Sequence, residues 1–246
     1  MRNIKITIAY DGTRYNGWQR QENTENTIQG KLEQLLSRMT GEEVEIHGSG
    51  RTDAGVHSLG QVFHFHTDCR MTTEDIMAYM MEYLPMDIAV LEVRNASERF
   101  HSRLNVKRKT YCYHIWNSKI PNVFERKYSY QIPEKLNVEK MNNAAAYLIG
   151  THDFKSFCAN KRMKKSTVRM IESIDFVEEG DMLKIRYKGN GFLYNMVRIL
   201  TGTLLEVGTG ERKPEEMLTI LESGQRENAG PLVPAKGLTL VEVRYS

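Results

Sequence analysis

Twice along the chain the hydrophobic pattern runs through one order: strand, helix, strand, strand, helix, strand. In the first half, residues 3–10 read as a strand. Ile28, Leu32, Leu35, Leu36 and Met39 then recur at helical spacing over 27–39, and Gly41 stops the helix. Residues 44–47 and 61–66 read as strands on either side of a glycine-rich turn. Ile76, Met80 and Leu84 mark a helix over 73–84, ended by Pro85, and 88–93 is a strand. The second half follows with a strand at 110–116, a helix at 138–149, strands at 168–177 and 182–187 around an acidic turn, and a helix at 193–207. A short helix follows Pro214, and 238–245 closes as a strand. This order is that of the ferredoxin-like unit. It predicts an α+β chain of two such units, 1–104 and 105–246, with the boundary near 97–108. Their sheets are expected to join into one mostly antiparallel sheet with a cleft between the units. No residue-level repeat accompanies the repeated order, and no low-complexity linker separates the halves.

Composition narrows the class. The 246 residues are 40% hydrophobic and 26% charged, as in globular proteins, and no apolar run reaches the length of a membrane span. The first residues, MRNIKITIAYDG, read as a strand rather than a signal peptide. Cys69, Cys112 and Cys158 are scattered and form no C-x-x-C, so neither disulfides nor zinc is expected, and a reducing, cytoplasmic setting is. The formal net charge is only +3, but Arg99, Arg103, Lys107, Arg108 and Lys109 cluster within 99–109, and Lys161, Arg162, Lys164 and Lys165 within 161–165. Two such clusters on a nearly neutral chain point toward a polyanion, since local fields hold such partners better than net charge implies; solvated loops are the plainer alternative.

Five features bear on possible chemistry. The stretch GSGRTDAGVH (48–57) sets one Arg-Thr-Asp cluster among glycines. Asp53 there is either a turn residue bonding its own backbone or a carboxylate presented to a ligand, with Arg51 near enough to favour its ionised form. Arg198 is the lone charged residue between Leu193 and Leu205, so its helix is expected to be buried and its guanidinium to need a partner. Tyr111 and Tyr113 share one strand face beside the 107–109 cluster, where an aromatic face either packs or stacks a base. His64 and His66 alternate on a strand with His47 and His57 nearby, but no third ligand has convincing spacing, so no metal is expected. Gly189-Asn190-Gly191 lacks the residues of a P-loop or dinucleotide fingerprint, and no cofactor is expected.

Seven segments, in order, resemble the tRNA pseudouridine synthase A family: YDGTRYNGWQRQ (10–21), NTIQGKLEQLL (26–36), GSGRTDAGVHSLGQVFHF (48–65), RFHSRLNVKRKTYCYHIW (99–116), GTHDFKSFC (150–158), GNGFLYNMVRILTGTLLEVGTG (189–210) and PAKGLTLVEVRY (234–245). The resemblance implies the pseudouridine synthase fold and an isomerase that converts uridine to pseudouridine on the 3′ side of the tRNA anticodon arm, at positions 38–40. It implies Asp53 as the catalytic aspartate, Arg51 as an aid to flipping the nucleotide, Tyr111 stacked on the uracil, Arg198 paired with Asp53, and Leu238 against the base. Lys107, Arg108, Lys109, Lys161, Arg162, Lys164 and Lys165 are the expected holders of RNA phosphates. A homodimer and no membrane partner are also implied. Ser58 and Ser102 stand where the family usually has alanine, and Asn195 where histidine is frequent. An N-glycosylase releasing free uracil and a non-catalytic RNA-binding protein are the competing readings.

Overall fold

The computed structural model describes residues 1–160 and 162–246. The chain is α+β, and its contacts divide it into two compact units: Met1–Lys107 with Thr239–Ser246, and Arg108–Leu238.

The first unit runs β1 (Arg2–Tyr10), α1 (Ile28–Thr40), β2 (His47–Gly48), β3 (His57–Thr67), α2 (Thr73–Tyr83) and β4 (Ile88–Ala96), the expected βαββαβ order. β1 lies between β4 and β3, and β2 pairs with β3, all antiparallel. The last strand, β10 (Leu238–Arg244), runs parallel to β3 with Thr239 opposite His57. Residues 239–246 therefore group with the first unit, whereas the sequence order had kept all of 105–246 together.

Local chemistry sets the helix ends. The Thr27 hydroxyl accepts from the Gly30 N–H at 3.2 Å, and Gly41 ends α1 at φ +74°. Thr72 and Asp75 form a capping box at the start of α2. One face of the sheet is apolar. Ile4, Ile6 and Ile8 of β1 and Phe63 and Phe65 of β3 cluster with Ile28, Leu32 and Leu36 of α1 and Ile76 and Met80 of α2, every one of them fully buried.

The opposite face carries histidines. The rings of His47, His66 and His101 lie 4.8–5.6 Å from that of His64, which is fully buried. The Ser102 N–H donates to His64 Nδ1 at 3.2 Å, and the Ser102 hydroxyl donates to the His47 carbonyl. Burial, reinforced by the neighbouring imidazoles, lowers the His64 pKa from 6.5 to about 4. Below pH 6.5 the unfolded chain takes up this proton, while the folded one refuses it until about pH 4. Stability should therefore fall across that window by about 3 kcal/mol. Denaturant melts at pH 7, 5.5 and 4.5 check this: His64→Asn, which keeps an acceptor for the Ser102 amide, should lose most of the slope that wild type shows.

The second unit contains β5 (Arg108–Trp116), β6 (Tyr130–Gln131), α3 (Val138–Ala146), β7 (Gly150–Asp153), β8 (Val168–Glu179), β9 (Met182–Gly189), α4 (Met196–Thr209) and α5 (Glu216–Ser223). β5 pairs with β9, β9 with β8, and β8 with β7, all antiparallel; β6 lies parallel to the end of β5. α3 packs on α4 and β8. Met141, Ala144 and Leu148 are buried, as are Ile199, Leu200, Leu204 and Val207 of α4. α4 starts at Met196, three residues later than its apolar spacing suggests. Asn195 sits in the left-handed region at φ +60°, a conformation asparagine tolerates, and the helix begins only after it.

Candidate active site

Asp53 stands on the turn that leads into β3. Its carbonyl accepts from the Val56 N–H at 3.1 Å, and Gly55 turns the chain at φ +78°. Such a turn would be pliable alone, but residues 10–18 clamp it. The Trp18 N–H donates to the Thr52 carbonyl at 3.0 Å, and the Gly55 N–H to the Tyr15 carbonyl at 3.4 Å. The buried Tyr10 hydroxyl bonds the Thr52 hydroxyl at 2.8 Å. The Gly12 N–H reaches His57 Nδ1 at 3.1 Å, and Asp11 Oδ1 lies as close to the same nitrogen. Gly17, at φ +88°, lies so near that a β-carbon there would come within 2.8 Å of the Thr52 carbonyl oxygen and 3.1 Å of the Asp53 carbonyl carbon. Before the turn, the buried Gln61 donates to the Gly50 carbonyl at 2.9 Å. The loop is thus bonded on both flanks, with Thr52 buried, Asp53 half-buried and Arg51 exposed. The turn is held through its main chain and its neighbours, with Asp53 upon it and the exposed Arg51 two residues away.

Tyr111, Arg198 and Leu238 belong to the second unit. Tyr111 is buried on β5, opposite Tyr187 of β9, and meets Phe192 edge to face at 5.3 Å and 86°. Arg198 is half-buried. Its Nε donates to the Val233 carbonyl at 2.8 Å and its Nη1 to Asn195 Oδ1 at 3.1 Å. The next carbonyl, Pro234, accepts from the Tyr113 hydroxyl at 2.7 Å. Burial holds the Tyr113 hydroxyl protonated, far above the ordinary phenol range, so it remains a donor. Gly237 packs against that same ring: a β-carbon there would fall 2.7 Å from it. Arg198 and Tyr113 together pin the 233–237 segment, and this segment delivers the buried Leu238. Two of the bonds of Arg198 thus go to neutral oxygens of its own unit, and of the two readings of Tyr113 the packed one holds.

Among the expected phosphate holders, Lys107, Arg162, Lys164 and Lys165 are exposed, while Lys161 lies outside the described residues. Arg108 is half-buried and paired with Glu172, which Lys188 also approaches at 3.4 Å. The serines at two unusual positions are satisfied: Ser58 Oγ donates to the Leu240 carbonyl at 3.2 Å, and Ser102 spans His47 and His64. Among the described residues, no three histidine, cysteine or acidic side chains are grouped to hold a metal ion. The residues that sequence reasoning missed are Tyr10, Gly12, Gly17, Val233 and Gly237. A detectable signal existed in 10–18, where glycines alternate with aromatic residues outside any strand pattern.

Residues 6–104 and 144–246 match the family model described as tRNA pseudouridine synthase. Curated relatives match over the full length of both chains: tRNA pseudouridine synthase A of Bacillus sp. (strain KSM-64) at 50% identity, tRNA pseudouridine synthase A 1 of Clostridium tetani at 50%, and tRNA pseudouridine synthase A 2 of Bacillus cereus (strain ZK / E33L) at 48%. With the family model matching both units and half of all residues shared with such relatives end to end, the chain belongs to the tRNA pseudouridine synthase A family.

Proposed function

We propose that the chain isomerises uridines on the 3′ side of the tRNA anticodon arm, positions 38–40, with Asp53 as the catalytic carboxylate. Family membership makes it an isomerase of tRNA uridine; the target region and the residue roles are our reading. The observation that supports the role of Asp53 is its place on a loop bonded through Thr52, Gly55 and His57; the target region rests on the family resemblance. In the reaction the N1–C1′ bond breaks, the uracil turns, and C5 bonds to C1′ while its hydrogen leaves as a proton. No electrons or groups are imported. A carboxylate serves every route to this outcome: it attacks C1′ or C6, or removes the 2′ proton. The target must first leave its stack, at a cost of a few kcal/mol.

In this reading Arg51 fills the gap in the stack or holds the flipped nucleotide's phosphate, in keeping with its exposure. Tyr111 bears on the uracil face, Leu238 adds apolar contact, and Arg198 pairs with Asp53 at the substrate. Lys107, Lys109, Arg162, Lys164 and Lys165 hold phosphates. Arg108 contributes less, because Glu172 already takes up its charge. The assembly is a homodimer, a reading supported by the exposed apolar Ile120, Val123 and Phe124. The working compartment is the cytoplasm; among the described residues no helix is long and apolar enough to cross a membrane.

The test is incubation with unmodified tRNA tritiated at uridine C5, followed by digestion and mass spectrometry. Tritium release with retained pseudouridine, mapped to positions 38–40, is expected. Free uracil would identify a glycosylase. Binding without release would leave a non-catalytic RNA-binding protein.

A further inference from the structure

The second unit has a cavity of about 590 Å³ between residues 153–160 and 163–168 on one side and residues 224–227 on the other. Four cations line it: Lys155, Lys164, Lys165 and Arg226. Two carboxylates, Asp153 and Glu227, oppose them. Asp153 is committed to the loop itself, accepting from the Lys155 N–H at 3.0 Å and from the Thr167 hydroxyl. Arg226 donates to the Ala229 carbonyl at 3.2 Å, and no ion pair among the described residues takes up the ammonium groups of Lys155, Lys164 or Lys165. The cavity therefore carries a surplus of positive charge. Buried Cys158 and half-buried Met163 give it an apolar wall.

We propose that this cavity is a subsite for one nucleotide of the RNA strand, with its phosphate on Lys155, Lys164, Lys165 and Arg226 and its base or sugar against Cys158 and Met163. The inference rests on the tRNA reading above and adds Lys155 and Arg226 to the RNA contacts. A volume inside the range of about 300–1,000 Å³ typical of small-ligand sites admits a nucleotide but not a duplex. The strand enters as a splayed or single-stranded element, the form in which a base can turn aside from its neighbours. Contacts of this kind position the RNA and make its affinity salt-dependent.

The test measures tRNA dissociation constants across several salt concentrations, together with kcat and KM from tritium release, on the full-length protein. Lys155→Gln with Arg226→Gln should raise Kd about tenfold near 0.1 M salt and flatten the log–log salt slope by about 1.4, at about 0.7 per lost single-strand contact. The loss should fall on KM rather than kcat. Gln225→Trp, at the cavity wall and without charge change, should also raise KM. Lys140→Gln, exposed on α3 outside the cavity, should change Kd by less than twofold. An unchanged Kd in the double variant, or an equal loss in Lys140→Gln, overturns the proposal. So does inorganic phosphate that binds wild type and not the double variant while both hold tRNA equally, since the site would then serve a free anion. Kd is read independently of turnover, so a wild type that binds tRNA through this cavity yet makes no pseudouridine would fail the function reading and not this one.

Discussion

Asp53→Asn should lower single-turnover pseudouridine formation by about 10³-fold or more, while tRNA binding and the melting temperature stay near wild type. Asparagine has the shape of aspartate, and the carbonyl that holds Val56 belongs to the main chain, so the turn survives. What disappears is the negative charge and the lone-pair basicity that any of the three routes requires. Loss of a positioned acid–base group alone costs about 10²–10⁴ in rate, and loss of a nucleophile costs more. Binding is spared because phosphate contacts elsewhere carry most of the affinity. Single-turnover tritium release, with Kd measured in parallel, checks this. A variant that keeps a tenth of the wild-type rate would remove Asp53 from the chemistry. Asp53→Glu should also fail, by about 10²-fold, because a loop bonded on both flanks cannot retreat to accommodate the extra methylene.

The sequence made the helices of the first unit legible, because their ends are chemical. Thr27 and Gly41 are a cap and a stop in any context, and the apolar positions between them face one core. β3 was legible only in part. It begins at His57, where Ser58, Gly60 and Gln61 are all buried and the alternation between faces vanishes. The start of α4 was read three residues early because periodicity cannot register a single left-handed residue such as Asn195. The site divides along the same line. Glycine density singled out the Asp53 turn, but the segment that holds it works largely through main-chain donors and acceptors, which leave no side-chain pattern to read. Charge scarcity singled out Arg198 as a guanidinium in need of partners. Two oxygens that it bonds within its own unit, a backbone carbonyl and an amide, leave no mark of charge in the sequence. Peptide groups at fixed distances thus did much of the work that residue identities could not announce.

Gly17→Ala tests that conclusion directly, against Gly41→Ala. Both glycines have positive φ, +88° and +74°, so alanine should cost each about 1–2 kcal/mol of backbone strain. Their surroundings differ. Around Gly41 nothing lies within 4 Å of a β-carbon, whereas at Gly17 the β-carbon meets main-chain atoms of Thr52, Asp53 and Ala54 at 2.8–3.1 Å. Backbone held by its own hydrogen bonds does not yield like the tip of a flexible side chain. The clash should therefore add about 1–3 kcal/mol and push the Asp53 turn outward. A displacement approaching an ångström at a reacting group costs about 10²-fold in rate. Gly17→Ala should thus lose both stability and kcat, and Gly41→Ala stability alone. Melts and single-turnover rates on the two variants decide between the outcomes. If the two lose stability equally and both keep wild-type turnover, the close approach of residues 10–18 is not what positions Asp53. If only Gly17→Ala loses turnover, and does so at temperatures well below its melting point, the clamp acts on catalysis through the position of one carboxylate.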